Sequence, residues 1–421
     1  MGKSALKPEV TIVGGGMITQ VQILPSLYQL QRLGLIGKIK ICALNAAPLR
    51  TLAEDASLAE AFPGLSFQPF PDFAKVGLNE KFPDLYQKVI ADQDARNIVV
   101  VAVPDQLHYD VLNVALEADQ HVLCVKPLVL EYAQAAQIEK KAYERGLLIG
   151  IEYHKRFDDR SLMARQAYRA GRFGQFRIGQ AHLVECWYYR HSNFQNWCTR
   201  ENSDMFAYIG CHYVDLVHFI TGLLPTAVSV YGVVDKYPNG NEAFMWTDGR
   251  VIWENGACLS VMNGLGYPDD GPGGNSQGLM MFGQGDDIGT LIYHSDQYRG
   301  VKYAFTTKGA DPGETVYAEP SPDYFKLLDL GGPGRIPVGY GFRSIDYIVR
   351  AAIRVETETE DLAGRQKLLR QFDQAGIMAT PANSAYNELV MEAGRKSILA
   401  GGREVAIQYG ERPGVAFRKY D

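Results

Sequence analysis

The run Val10-Thr11-Ile12-Val13 passes straight into Gly14-Gly15-Gly16-Met17-Ile18-Thr19, and this junction limits the folds open to the chain more than any other feature. Unbroken apolar and β-branched residues read as a strand buried on both faces. The G-x-G-x-x-T turn after it, with a helix predicted from about Met17, is the arrangement in which a strand hands over to a helix beneath a dinucleotide. Gly14 permits the tight turn, and Gly16 lets backbone N–H groups approach a pyrophosphate. The helix N-terminus, with Met17 and Ile18 in its first turn, adds partial positive charge. Thr19 stands where a third glycine or alanine is usual, which holds helix and strand slightly further apart. Three glycines after a strand also occur in ordinary turns, so the motif needs support from the rest of the chain.

That support comes as alternation. A second strand is predicted over Ile39–Leu44 and ends at Asn45, where an acidic residue normally grips the adenine ribose. Asparagine can bond a 2′-hydroxyl and would not repel a 2′-phosphate; equally, it serves as a helix N-cap. With Arg50 the nearest arginine, NAD and NADP both stay open, NAD slightly ahead. Asn97–Val103 is a continuous β-branched run, followed by Pro104, His108 and a helical stretch Tyr109–Ala118. The strand His121–Val125 ends at Lys126-Pro127; a helix Glu131–Arg145 and a strand Leu147–Tyr153 come next. Strands alternating with helices at this spacing predict a doubly wound parallel sheet. Ligands bind beyond the carboxyl ends of such strands, where Gly14, Pro104, Lys126 and His154 all fall.

The pattern breaks at Lys155-Arg156-Phe157-Asp158-Asp159-Arg160. This predicts a dinucleotide-binding domain over 1–154 and a second domain, of mixed helix and strand, over 155–421. A short helix Ser161–Arg169 precedes long strand candidates at Phe176–Tyr189, Ala227–Val234, Val251–Asn263, Gly278–Phe282 and Gly289–Tyr293. Asp269–Ser276 is glycine-rich but has no following lysine or helix, so it reads as a plain loop. Residues 356–376 have a charged, helical pattern and read as an added surface helix or flap. A chain of 421 residues has room for two substantial cores. A net charge of −6 leaves no basic footprint for nucleic acid. The six cysteines form no C-x-x-C pair and read as small reduced core residues. No metal ligand set has a recognisable spacing. Neither a leader nor an apolar span is legible, so a cytoplasmic protein away from membranes is the expectation.

Taken in order, Gly14-Gly15-Gly16, Val103-Pro104 with His108, Lys126-Pro127, Tyr153-His154-Lys155-Arg156-Phe157 and Gly210-Cys211-His212-Tyr213-Val214-Asp215 form one pattern. Thr380-Pro381 opening a helix that ends Ala400-Gly401-Gly402-Arg403-Glu404-Val405 completes it. In this the chain resembles the Gfo/Idh/MocA oxidoreductases, the group of glucose–fructose oxidoreductase and inositol dehydrogenase, over most of its length. The resemblance implies an N-terminal Rossmann domain and a C-terminal α+β domain with a large, predominantly antiparallel open sheet. It implies a nicotinamide cofactor, a sugar, glycoside or polyol substrate, and a homodimer or homotetramer. Two positions depart from the family: Val125 replaces the usual Glu before Lys-Pro, and Tyr208 replaces the usual Asp four residues before the histidine.

Oxidising an alcohol needs a base for the hydroxyl proton while the carbinol hydride leaves, and histidine titrates in the right range. An ammonium beside it stabilises developing alkoxide. Lys126 and His212 are the expected pair. Tyr208, one helical turn before His212, is placed to bond the substrate or His212, and Asp215, three residues after it, is an alternative partner. Val103, Pro104 and His108 line the expected cofactor edge. Tyr153, His154 and Lys155 add polar groups there, and Trp187, in Glu185–Arg190, offers a ring on which a sugar face can stack. The plainer readings stand beside these. A lysine after a strand is usually solvated, and rings alternating along a strand fill a sheet interior. His218 reads as structural, His121 and His182 as strand residues without a charge partner, and Cys211 as neither nucleophile nor ligand. Three functions remain: a dehydrogenase acting on a sugar, glycoside or cyclitol hydroxyl; redox-assisted glycoside cleavage with tightly bound NAD; and a non-catalytic dinucleotide-binding regulator.

Overall fold

The computed structural model describes residues 7–269, 274–295, 303–305, 316–318 and 323–419. Asp270, Gly271, Pro272 and Gly273 of the glycine-rich loop lie outside the described residues. The chain divides into two compact units, Met1–Phe157 with Phe325–Ala385, and Asp158–Tyr324 with Tyr386–Asp421. Residues 325–385, beyond the expected boundary at 154, thus pack with the first unit.

The first unit is a six-stranded parallel sheet in the order β3-β2-β1-β4-β5-β6. Its strands are β1 (Val10–Val13), β2 (Ile39–Cys42), β3 (Gln68–Phe70), β4 (Ile98–Val101), β5 (His121–Cys124) and β6 (Ile149–Ile151). Helices α1 (Leu24–Arg32), α2 (Ala47–Ala53), α3 (Ala56–Ala61), α4 (Leu85–Ala91), α5 (His108–Glu117) and α6 (Tyr132–Arg145) connect them. The order reverses between β1 and β4, which is where such sheets open a crevice for ligands. Val99, Val100 and Val101 are wholly buried, as their unbroken apolar run requires. Helix entry after β1 is by a π-turn, Thr19–Ile23, before α1 proper begins. Thr19 is buried and donates its hydroxyl to the Gly14 carbonyl at 2.7 Å, so the bulkier residue ties the turn it widens.

Later in the chain this unit gains a hairpin and two helices. These are β15 (Lys326–Leu328) and β16 (Ile336–Val338), then α9 (Tyr340–Thr357) and α10 (Leu362–Ala375). The expected surface helix corresponds to α10, and the longer α9 precedes it. Ile345, Ile348, Val349, Ala352 and Val355 form the buried stripe of α9 at helical spacing. Ile348 presses so closely on Gly150 of β6 that a Cβ there would meet its Cγ2 at 2.6 Å.

His121, expected to lack a charge partner, has one. Glu356 at the end of α9 lies 3.0 Å from its Nε2, and the Leu148 N–H donates to its Nδ1 at 3.0 Å. These two bonds define a neutral imidazole with the proton on Nε2. Burial pushes the His121 pKa down, against the opposing pull of Glu356. Burial alone would raise Glu356, but the His121 bond and the nearby arginines outweigh it and leave the carboxyl lowered. A base whose folded pKa lies below its free value of about 6.5 binds its proton more readily when unfolded. Stability is therefore intact above that pH and falls as the pH drops through the window beneath it, by at most about 1.4 kcal/mol per pH unit. His121→Gln is expected to remove this part of the acid slope in melting curves taken across pH. An unchanged slope would mean that His121 is not the group responsible.

The second unit is built on an eight-stranded mixed sheet in the order β12-β11-β7-β10-β9-β8-β17-β18. The strands are β7 (Gln175–Cys186), β8 (Pro225–Lys236), β9 (Glu242–Trp253), β10 (Cys258–Tyr267), β11 (Ser276–Gln284), β12 (Gly289–Ser295), β17 (Val405–Gln408) and β18 (Gly414–Phe417). A separate short pair, β13 (Tyr303–Phe305) with β14 (Val316–Ala318), lies between β12 and β15 in sequence. Only β7 and β10 run parallel; every other pairing is antiparallel. The expected strand Val251–Asn263 is really the end of β9, a tight turn through Glu254-Asn255-Gly256, and the start of β10. Helices α7 (Asp159–Arg169) and α8 (Cys211–Thr221) pack against each other in this unit, and α11 (Pro381–Leu399) spans the junction between the two chain segments. A π-turn, Phe206–Gly210, leads into α8 and lies on β7, β9 and β10.

All six cysteines are free thiols, and burial pushes the thiols of Cys42 and Cys186 up to about 12. Among the described residues no helix is long and apolar enough to cross a membrane, and no cluster of metal-ligating side chains occurs.

Candidate active site

The first unit gathers most of the expected residues along the carboxyl edge of its sheet. Gly14 leaves β1 at φ +118°, and a Cβ on it would stand 2.0 Å from the Ala102 carbonyl oxygen. Gly14 therefore fills a place where two backbones touch. Gly16 differs: nothing lies within 4 Å of where its Cβ would be. Open space over a glycine at a helix N-terminus, with Met17 and Ile18 in the first turn, is the cradle that a pyrophosphate needs. The chain thus fits a dinucleotide. Asn45 lies three residues past β2, and its side-chain oxygen accepts from the Ala47 N–H at 3.3 Å at the start of α2.

Val103 and Pro104 follow β4, and His108 opens α5. His108 is wholly buried; its Nδ1 lies 2.8 Å from the Pro127 carbonyl oxygen and its Nε2 lies 2.9 Å from that of Val103. It clamps the ends of β4 and β5 together, and so fixes the turn that carries Lys126. Lys126 itself is half-buried just past β5.

At the end of β6, Tyr153 is buried beneath the Arg156 guanidinium, 5.9 Å from its ring centroid. His154 stacks on Tyr340 of α9 with centroids 5.4 Å apart, and the Lys155 ammonium lies 5.8 Å from the same ring. Sequence reasoning passes over Glu152. Its carboxylate is buried, accepts from Gln22 and Ser344 at 2.7 Å each, and lies 2.9 Å from His154 Nδ1. Its one legible signal is an acidic residue at the end of an otherwise apolar strand.

In the second unit, His212 sits buried in the first turn of α8. Tyr208, four residues before it, belongs to the π-turn, whose wider winding alters the i to i+4 facing expected of an α-helix. Its ring is gripped edge-on by Phe194 and Trp197, with centroids 4.7 and 5.6 Å away. Asp215 is buried and accepts from the Tyr386 hydroxyl at 2.7 Å. Trp187 is 45% exposed, with the Arg190 guanidinium 4.2 Å from its ring centroid. His218 bonds the Leu223 carbonyl, and Cys211 is buried in α8.

A phosphate-cradling turn on a 3-2-1-4-5-6 sheet, with lysine and imidazole at its carboxyl edge, defines the class of nicotinamide-binding Rossmann oxidoreductases. Comparison narrows the class. Residues 9–153 match the oxidoreductase family with an NAD-binding Rossmann fold, and residues 161–271 match the GFO/IDH/MocA C-terminal domain. The chain belongs to the Gfo/Idh/MocA oxidoreductase family. It is 26% identical over 139 residues to a D-glucoside 3-dehydrogenase of Escherichia coli, covering 32% of this chain and 38% of that protein. It is 24% identical over 142 residues to scyllo-inositol 2-dehydrogenase (NADP(+)) of Bacillus subtilis, covering 33% and 38%. The chain spans less than two fifths of the length of these curated relatives. GenD2 from gentamicin A biosynthesis, solved with NAD, has the same fold at 16% identity, covering 97% of this chain and 99% of that one with a TM-score of 0.65.

Proposed function

We infer that this protein is an NAD(P)-dependent dehydrogenase acting on a secondary hydroxyl of a sugar, glycoside or cyclitol, with Lys126 and His212 as its catalytic pair. The observation that carries the reading is the open cradle at Gly16 on a sheet whose next carboxyl ends present Lys126 and His154. Family membership and relatives named for glucoside and inositol oxidation support the substrate class. Bound nicotinamide supplies the hydride acceptor. His212 takes the alcohol proton as the carbinol hydride leaves, and Lys126 stabilises the developing alkoxide. Tyr208, steadied by Phe194 and Trp197, donates to a substrate oxygen, and Trp187 offers its exposed ring to a sugar face. Asn45 can hold the adenine ribose through its amide nitrogen, which accommodates NAD and does not bar NADP.

A second copy of the chain is the partner we assign to the outer face of the eight-stranded sheet. Leu291, Phe282 and Ile178 lie side by side across β12, β11 and β7 and are 50%, 43% and 57% exposed. Tyr293, Met280 and Gln180 form the next row, beside an open depression of about 540 Å³. An apolar face of this breadth is what an isologous dimer covers.

The test is a nicotinamide absorbance assay, with NAD and NADP separately, against sugars, glycosides and inositols, with product analysis of each mixture. Cofactor reduction with a keto product is expected. Aglycone release without net reduction would replace this reading with redox-assisted cleavage. Tight dinucleotide binding with no conversion across the panel would replace it with a regulatory role.

A further inference from the structure

Glu152 is a buried carboxylate with no part in the hydride step. Taking such a group out of water costs several kcal/mol unless hydrogen bonds and charge compensate. Here Oε1 accepts from the Gln22 amide and the Ser344 hydroxyl, both neutral donors, and Oε2 faces the imidazole of His154. The one basic side chain beside it among the described residues is His154. Glu152 is reached from three sides: Gln22 from the π-turn after the glycine cradle, Ser344 from α9, and His154 from two residues along its own strand end. The Glu152 N–H donates to the Cys124 carbonyl, which extends the β5–β6 register by one residue and sets Glu152 beside Val125. The carboxylate therefore stands one strand over from Lys126, at the same edge.

A carboxylate only accepts, so His154 Nδ1 must donate to it, and in that tautomer Nε2 is the acceptor nitrogen. Stacking on Tyr340 holds the plane of the ring. We propose that Glu152 is the positioning residue that locks His154 as the Nδ1–H tautomer, so that His154 recognises a substrate by accepting from one of its hydroxyls. This rests on the dehydrogenase reading and sharpens it: the substrate carries a second hydroxyl near the oxidised carbon, as polyols and sugars do and simple secondary alcohols do not.

Glu152→Gln keeps the shape and reverses the chemistry. The new amide oxygen can still take Gln22 and Ser344, while its NH₂ faces His154 Nδ1 and makes that nitrogen an acceptor. Long-range ¹H–¹⁵N spectra of ¹⁵N-histidine-labelled full-length protein, at alkaline pH without ligand, report the tautomer directly; His154→Gln identifies the resonance. The expected result is Nδ1–H in the wild type and Nε2–H in Glu152→Gln. A wild-type Nε2–H tautomer overturns the proposal whether or not Glu152→Gln folds. In kinetics with a polyol substrate, Glu152→Gln is expected to raise KM by roughly three- to tenfold, the worth of one hydrogen bond, with kcat much less affected. Ser344→Ala, which leaves His154 bonded, should move neither readout. A merely structural Glu152 would lower the melting temperature while tautomer and KM stayed put, and that outcome also overturns the proposal. The tautomer is read without substrate, so failure of the dehydrogenase reading would appear only in the assay.

Discussion

His212→Ala and Lys126→Ala are each expected to lower kcat by roughly 10²- to 10⁴-fold, with dinucleotide affinity changed by only a few-fold. A positioned base removes the alcohol proton as the hydride departs, and without it water must serve. His212 is buried in the first turn of α8, whose winding begins in a π-turn seated on the sheet, so an alanine there removes the imidazole without loosening the backbone. Lys126 follows β5 on a turn clamped by His108, and truncating its side chain leaves that clamp intact. Pre-steady-state reduction of NAD or NADP, with dinucleotide titration alongside, separates the two effects. Wild-type turnover in both variants would remove this pair from the mechanism. Equal loss of turnover and dinucleotide binding would make their role one of cofactor holding. A regulator would show neither change, because it has no turnover to lose.

Five strands of the first sheet are legible in the sequence because each is a short apolar run bounded by a glycine, a proline or a polar turn, and their boundaries hold to within two residues. The sixth, β3 (Gln68–Phe70), is not: three residues with a proline at the centre, none of them fully buried, carry no apolar run to read. The second sheet is less so. In Val251–Asn263 the apolar texture resumes so quickly after Glu254-Asn255-Gly256 that two antiparallel strands read as one. Nor is the π-turn at Phe206–Gly210 readable, since one extra residue in a helical turn leaves the apolar pattern almost unchanged. The least visible features are pairings across long separations. Glu356 reaches His121 over 235 positions, and Ser344 reaches Glu152 over 192. Nothing local in either sequence neighbourhood announces them. Motif positions name the candidate site residues; the fold adds which of them are clamps, such as His108, and which charged group they overlook, namely Glu152.

Gly14→Ala and Gly16→Ala are expected to fail in different ways, and the difference probes the cradle itself. At Gly14 an added methyl would stand 2.0 Å from the Ala102 oxygen and 2.6 Å from its carbonyl carbon, and both are backbone atoms that no rotamer change can move. The residue also sits at φ +118°, a region that side-chain-bearing residues rarely enter. Gly14→Ala should therefore push β1 away from the end of β4, at a cost of roughly 1–3 kcal/mol or more in stability. Dinucleotide binding should fall with it. Gly16→Ala meets no protein atom within 4 Å, so the fold should keep its melting temperature. Its methyl would occupy the space into which the pyrophosphate must come. Affinity for NAD or NADP is expected to drop by about 10² or more, with a comparatively small loss of kcat at saturating cofactor. Melting curves and dinucleotide titrations on the two variants make the comparison. If Gly16→Ala binds dinucleotide as tightly as the wild type, the phosphates do not rest on this turn, and the order of the sheet alone would have to explain where they go.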